Sequence, residues 1–520
     1  MALSVLRDIA TNLHNGVHYT LMADEVTDSS NREQFVICIR WVDSGLIADE
    51  DLLGLYQVPD ISSATLVQCL RDVLTRMSLS INNCRGQCYD GANNMSGIRS
   101  GVATQILKEE ERALFTHCYG HALNLAVSDT VRKVKLLHDT LDTTSEISKL
   151  LKYSPKRDTM FEKLKKELAP ETPGFRTLYP TRWTVKANSL KSVLDNFKPL
   201  TQLWEDSLET NLNSEIKSRI IGVKTHVRAF DYFFGLHLVG FMVMNHTDNL
   251  SRSLQGTEKS ASQGQMIASM TVKTQQIVRI DESFQQFWQN VNVCKSASVE
   301  DVISQPQAPR KRRRQARLDD GKTPGDHPEK AEDYFRSVYF ETLDLAINFI
   351  LDRFSHPGYK VYSHLESLLL NAVNGNDFSE DLDYVCNFYG EDLERNSLLT
   401  QLQTLRVQLG AEKDLWLNDV VAYLKSLPSV TVDYFSEVFN LVRLILVVPA
   451  TNAVSERSAS ALRRLKTYLR TTMSQERLNH CIILHVHKER TDKLNMANIG
   501  DQFVMSSTDR QNRFGQFSSS

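Results

Sequence analysis

Apolar and polar residues fall into short strand-like runs over roughly the first 120 positions and then settle into helical spacing. "VHYTLMADEVTD" holds an apolar run from Val17 to about Val26 that stops at acidic and turn residues, the pattern of a strand. "QFVICIRWVD" predicts a second strand, rich in β-branched and aromatic residues, and "LLGLYQVP" a third, ended by Pro59. In "SSATLVQCLRDVLTRMSL" the apolar residues at 66, 67, 70, 73, 74 and 77 follow a helical period behind serines that can cap it. "INNCRGQCYD" suits a fourth strand, "GVATQILKEEERA" a helix and "LFTHCYG" a fifth strand, and a long helix is expected from about His121 to Leu137. The opening "MALSVLRDIATNLHNG" has helical spacing and no small-residue cleavage site, so it reads as a packed helix rather than a signal peptide.

The order β-β-β-α-β-α-β-α predicts a meander of three strands joined to two more by right-handed crossovers. The first strand then lies in the middle with the fourth parallel beside it, and Asp24 and Asp90 meet at neighbouring strand ends. That is an α/β, ribonuclease-H-like mixed sheet. From about Asn188 to Asp433 the strand signals nearly vanish, and segments such as "YFRSVYFETLDLAINFILDRF" predict a large all-α insertion. An apolar run at 441–448 stops at Pro449, and Thr451 or Asn452 can cap a helix reaching about Arg470. A second helix with an apolar face follows. The expected domains are a first part of the core at 1–187, an insertion at 188–433 with a disordered basic loop at about 299–330, the last part of the core at 434–493, and a disordered tail at 494–520.

Composition narrows the partners. A net charge of −3 excludes a globally basic nucleic-acid coat, so any nucleic-acid surface must be local. No stretch approaches the roughly 18 unbroken apolar residues of a membrane span. The eight cysteines form no CxxC pairs, which fits free thiols in a reducing compartment. "RKRRRQAR" (310–317) has six basic residues in eight, and reads either as a solvated linker or as a nuclear-import or nucleic-acid patch.

"QCYDGANNMSG" ends a strand in an aspartate, two asparagines and two glycines. It reads either as a solvated turn or as a catalytic loop, and the choice depends on what stands beside Asp90. Two carboxylates at adjacent strand tips repel unless a cation lies between them, and open hard-oxygen sites suit Mg²⁺ or Mn²⁺. Two such ions can clamp the attacking and leaving oxygens of a phosphoryl displacement. Glu456 in "NAVSERSAS" is the candidate third acid. Cys118 and His121 alone read as a buried thiol and a satisfied histidine, since two ligands make no structural zinc site. The segment 456–490 carries eight Lys or Arg against three Asp or Glu. Leu478, Ile482 and Val486 form an apolar face that either packs onto the chain's own helical insertion or builds a homodimer, leaving Arg463, Arg464 and Arg470 to face DNA phosphates.

"MADEVTD", "GQCYDGANNMSG", "HCYGHALNLAV", "TRW" and "PATNAVSERSAS…LKTYLR" stand in the order found in hAT-superfamily DNA transposases, which the chain resembles over about 17–185 and 435–490. The resemblance is greatest to the branch with MYM-type zinc-finger and inhibitor-repressor-like proteins. It implies a DDE triad of Asp24, Asp90 and Glu456 binding Mg²⁺ or Mn²⁺, and metal-dependent DNA strand cleavage and transfer. It also implies that Cys118 and His121 lie near DNA, that Arg182 and Trp183 contact it (the indole stacking on a flipped base), and that the carboxy-terminal region dimerises. Nuclear localisation follows from that role. The chain departs from the family in having Val26 where many members have tryptophan, and in starting almost at the first strand, without the usual zinc finger. The alternative is a domesticated, non-catalytic nuclear DNA- or partner-binding protein that keeps the fold for dimerisation. A ribonuclease-H-like nuclease unrelated to transposition is a third reading.

Overall fold

The computed structural model describes residues 1–13, 16–178, 186–254, 260–298, 302–308, 330–354, 358–410 and 414–515. The chain divides into two compact units, one of Met1–His121, Leu254–Gly264 and His356–Ser520, the other of Ala122–Ser253 and Gln265–Ser355. Most of the expected basic loop, including 310–317, lies outside the described residues.

In the first unit β1 (Tyr19–Thr27), β2 (Glu33–Val42), β3 (Ala48–Gln57), β4 (Cys84–Tyr89) and β5 (Leu114–His117) form a mixed sheet of order β3-β2-β1-β4-β5. The first three strands are antiparallel and the last two join in parallel, the strand order read from the sequence. Short links permit hairpins, whereas parallel strands need a crossover, supplied here by helices. The chain also forms, among other helices, α1 (Ala2–Leu13), α2 (Ser63–Arg76), α3 (Val102–Glu109), α4 (Tyr119–Lys133), α5 (Gly358–Asn374), α6 (Ser436–Val447), α7 (Ala453–Leu465), α8 (Gln475–Val486), α9 (Met496–Met505) and α10 (Thr508–Phe514). β2 is buried along nearly its whole length, so both faces of the sheet are covered.

Edge strands leave backbone groups unpaired, and here both edges are dressed by side chains. Along β3, the Leu55 N–H donates to Asn479 Oδ1 at 2.9 Å and Gln475 Nε2 donates to the Leu55 carbonyl at 3.0 Å. His487 Nε2 lies 2.9 Å from the Leu52 carbonyl. Gln475, Asn479 and His487 recur at multiples of four, one stripe of α8 and its C-cap. The close approach depends on Gly54: its φ is +153°, and a Cβ there would stand 2.8 Å from Asn479 Oδ1. Along β5, the Tyr359 hydroxyl donates to the His117 carbonyl at 3.0 Å, and the Tyr362 hydroxyl reaches the carbonyls of Arg85 and Leu114 at 3.2 and 3.3 Å.

Those edge contacts correct two expectations. Leu478 and Ile482 are fully buried in the core under the sheet, with Val486 packed against it, so they are not an exposed dimerisation face. An apolar stripe cannot itself say whether its partner is intramolecular, and the polar stripe beside it had already turned α8 onto β3. The compact units also depart from the expected 188–433 insertion. Helices after Gly358 belong with the sheet through Tyr359, Tyr362 and Asp392, which accepts two 2.6 Å bonds from the buried Arg85. The segment after His121 belongs with the second unit, where Thr144 Oγ1 lies 3.0 Å from Tyr232 Oη.

The described residues of that second unit contain helices and no strand. Its interior gathers aromatic rings, with Phe335 5.1 Å from Phe230, 4.6 Å from Phe234 and 5.5 Å from Trp288. The expected helix at 121–137 is two helices, broken at Val134 between Lys133 and Lys135. The expected disordered tail is helical as far as Phe514. Asn495 caps α9 by accepting from the Asn498 N–H at 3.1 Å, and Arg510 stacks 4.2 Å from the Phe503 ring. These few local contacts lie below what apolar periodicity registers.

One buried ion pair joins the β1–β2 turn to the end of α7. Lys466 Nζ is 2.6 Å from Asp28 Oδ2, with both side chains almost wholly covered. Burial alone would raise the Asp28 carboxyl, but Lys466 and the N–H groups of Ser30 and Arg32 outweigh it and hold it below its usual value. Lys466→Met should destabilise the protein by about 2–3 kcal/mol in urea unfolding, below the full cost of breaking a deeply buried pair because only a thin layer of protein covers this one. Since the Asp28 value is depressed, the stability it contributes is present above the unfolded carboxylate pKa and is lost as pH falls through the folded one. A loss under 0.5 kcal/mol, by the order of magnitude of an exposed pair, would show that the pair does not hold the turn.

Candidate active site

Asp24 sits near the end of β1 and Asp90 directly after β4. The parallel register pairs Met22 with Cys88, and two residues further along each strand the two aspartates draw level at the same end of the sheet. Asp90 Oδ1 accepts from the Ala92 N–H at 3.2 Å, an Asx turn that bends the chain away from the sheet. Asp24 Oδ1 accepts from the Glu25 N–H at 3.0 Å.

Glu456 comes from the far end of the chain, and the residues just before it are tied to three strand ends. The Tyr119 N–H donates to the Ala450 carbonyl at 3.0 Å, and the Cys118 N–H to the Tyr89 carbonyl at 2.9 Å. The Asn452 N–H donates to Cys118 Sγ at 3.2 Å, and its Nδ2 to the Ala23 carbonyl at 2.6 Å. Asn452 stands at the N-cap of α7, as its sequence position suggests, but its side chain caps nothing and goes to β1 instead. Glu456 lies in the first turn of α7, which packs across β1, β2 and β3.

Of the three acids, Asp24 feels the other two. Burial, followed by the charges of Asp90 and Glu456, pushes the Asp24 carboxyl up to about 7. Glu456 is exposed, yet the protein around its carboxyl desolvates it enough to raise it as well. Among the described residues no three His, Cys, Asp or Glu side chains close on a common point as a metal-holding group. The donor set suits a hard divalent ion in kind: mutually repelling carboxylates, with the buried Asn452 Oδ1 lacking a hydrogen-bond partner among the described residues.

Cys118 is a structural anchor. Its Sγ accepts from the N–H groups of Asn452, His121 and Gly120, while burial and then Glu456 push the thiol up to about 12. The Cys-x-x-His spacing thus serves the start of α4, with His121 half-buried beside it. Arg182 and Trp183 lie outside the described residues. Arg463 and Arg464 are exposed at the end of α7.

Two further residues belong to the site. Burial pushes Glu25 up to about 7, with Asp90 also raising it, and Asn94 Nδ2 donates to Glu25 Oε1 at 2.6 Å. Asn94 also donates to the Ile61 carbonyl at 2.9 Å, tying the loop after Asp90 to the loop before α2. Their sequence signals were adjacency alone, Glu25 next to Asp24 and Asn94 within the Asp90 loop.

Comparison with known proteins agrees with this architecture at both ends. Residues 1–101 match the ZMYM1/FAM200, RNase-like domain, and residues 408–489 match the hAT family C-terminal dimerisation region. These two matches, together with the relatives below, support a hAT-derived protein. It is similar to the 52 kDa repressor of the inhibitor of the protein kinase from Mus musculus, 21% identical over 481 residues, covering 90% of this chain and 62% of that protein. The Homo sapiens protein of the same name is 22% identical over 485 residues, covering 90% and 61%. The chain therefore spans about three fifths of the length of these relatives. No helix among the described residues is long and apolar enough to cross a membrane.

The raised Asp24 value has a sign that can be measured. Folded Asp24 keeps its proton to about pH 7, whereas the unfolded chain releases it near 4, so folding takes up a proton between those values. Stability then falls as pH rises across that window. In EDTA, Asp24→Asn should match the wild type below pH 4 and be more stable at pH 8 by about 2 kcal/mol, discounted from roughly 1.4 kcal/mol per unit because the group is partly exposed. Thermal melts across pH check this; equal stability at pH 8 would show that burial and the neighbouring acids do not hold the proton on Asp24.

Proposed function

We propose that this is a transposase-derived protein in which a ribonuclease-H-like core, interrupted by an all-α insertion, keeps a metal-dependent site for cutting and joining DNA strands. The carrying observation is that parallel register brings Asp24 level with Asp90, while the Asn452–Ala23 bond ties the start of α7, with Glu456 in its first turn, to the same end of β1, although 366 residues of sequence separate Asp90 from Glu456. In this reading Asp24, Asp90 and Glu456 hold Mg²⁺ or Mn²⁺, which when bound supplies charge neutralisation at the scissile phosphate. The chain's own groups position it: Asn452 fixes the start of α7, Asn94 the loop after Asp90, and Cys118 the start of α4. Arg463 and Arg464 take DNA phosphates, and His121, Arg182 and Trp183 face the DNA near the break. Homodimerisation through 408–489 would use its exposed apolar side chains, such as Trp416, Val430 and Tyr434, rather than the buried face of α8. Nuclear import would use the basic run 310–317.

A second reading is favoured by two observations. The acids do not close on a common point, and the relatives are named as repressors. A non-catalytic nuclear protein that binds DNA or a partner and dimerises would need the fold without the metal.

Purified protein with DNA in Mn²⁺ or Mg²⁺ separates the two. The catalytic reading expects divalent-dependent nicking that Asp90→Asn reduces at least about a hundredfold, the scale of losing a group that stabilises transition-state charge. DNA binding without nicking, unchanged by Asp90→Asn, would establish the second reading.

A further inference from the structure

We infer that the turn between α7 and α8 is a nucleic-acid contact, in which Tyr468 stacks on an unpaired base while Arg463, Arg464 and Arg470 hold the adjoining phosphates. Among the described residues of the carboxy-terminal part, Tyr468 and Leu469 are the most exposed neighbouring pair of large apolar side chains, 78% and 76% open to solvent. They occupy a short 3₁₀ turn, Tyr468–Arg470, held from behind by the covered Lys466–Asp28 pair and by the Ser30 hydroxyl, 3.3 Å from the Thr471 carbonyl. The exposure is therefore built into an anchored turn. Arg463 and Arg464 close α7 shortly before the pair and Arg470 directly follows it, all exposed, and none is in an ion pair among the described residues.

Aromatic faces interleaved with free cations are the chemistry that binds single-stranded nucleic acid: the ring takes a base and the guanidinium groups track the backbone. The same composition disfavours a second copy of this turn, because a two-fold contact would set arginines against arginines. The placement agrees. Glu456 and Arg463 are seven residues apart on one face of α7, roughly 10 Å at 1.5 Å per residue. That is about three nucleotide steps at the 3.4 Å rise of a duplex strand, and fewer for an extended single strand, so a strand running from the acidic site along α7 reaches the turn within a few nucleotides. A base inside a duplex offers no free face to a tyrosine, so the ring should act on unpaired bases and the arginines on either form.

The inference rests on the DNA reading but not on metal or catalysis, so it is tested in EDTA. Fluorescence anisotropy would follow a labelled single-stranded oligonucleotide and the corresponding duplex, with wild type, Tyr468→Ala, Tyr468→Phe and Arg463→Ala/Arg464→Ala. Tyr468→Ala should weaken single-strand binding about tenfold, with duplex binding nearly unchanged and Tyr468→Phe restoring it. The double arginine variant should weaken both and lower the salt dependence by about two phosphate contacts. Because these side chains are exposed, thermal melts should not move. Equal single-strand affinity for wild type and Tyr468→Ala overturns the inference whatever the nicking assay shows, as does absence of wild-type binding. Conversion of a dimer to a monomer by Tyr468→Ala in light scattering would make a second copy the occupant and overturn it too. Nicking lost in Asp90→Asn while Tyr468→Ala behaves as expected keeps the two questions separate.

Discussion

The amide of Asn452 is the point on which the site depends. Its Nδ2 binds the carbonyl of Ala23, immediately before Asp24, and its backbone N–H binds Cys118, whose own N–H binds β4 at Tyr89. One residue thus joins the start of α7 to the ends of β1, β4 and β5. Strands pair with neighbours through their backbones, but nothing in sheet geometry brings a helix from position 453 to residue 24. These few hydrogen bonds do so, and they are buried, where a lost partner costs most.

The far end of α7 is fixed to the turn that follows the same strand. Lys466 pairs with Asp28, so the helix is pinned about 17 Å apart along β1, by strand rise, and at positions about 21 Å apart along its own axis. A helix held at both ends has little freedom to slide, so Glu456 keeps its place in the first turn of α7. The raised value of Asp24 reflects first its burial and then the charges of Asp90 and Glu456, so the fold rather than attraction among the acids holds it there. α8 continues the arrangement by dressing the open edge of β3, which explains why the carboxy-terminal segment is inseparable from the amino-terminal sheet.

The sheet was the most legible part of the sequence. Alternation and β-branched runs located five strands, connection lengths ordered them, and the match of Asp24 with Asp90 followed from parallel register. Glu456 was legible as an acid opening a late helix, but the group that delivers it was not. Asn452 read as a cap, since a cap and a long-range anchor have the same local signature. The apolar face of α8 was visible while its partner was not, because Leu478 and Ile482 look alike against one's own strand or another subunit. Domain limits were obscured for a related reason: Tyr359 and Tyr362 are ordinary helix residues until their hydroxyls meet β5. Glu25 and Asn94 were hidden in plain view, their roles set by a side-chain bond across 69 positions.

The claim most exposed to test is that a helix late in the chain delivers a third acid to a site begun by β1 and β4. Anomalous scattering from crystals soaked in Mn²⁺ would test it most directly. The account expects an ion whose ligands include oxygens of Asp24, Asp90 and Glu456 at roughly 2.0–2.6 Å, the range for hard divalent ions. A saturating soak that leaves no peak there, or one in which Glu456 points away from an ion held by the two aspartates, would contradict it.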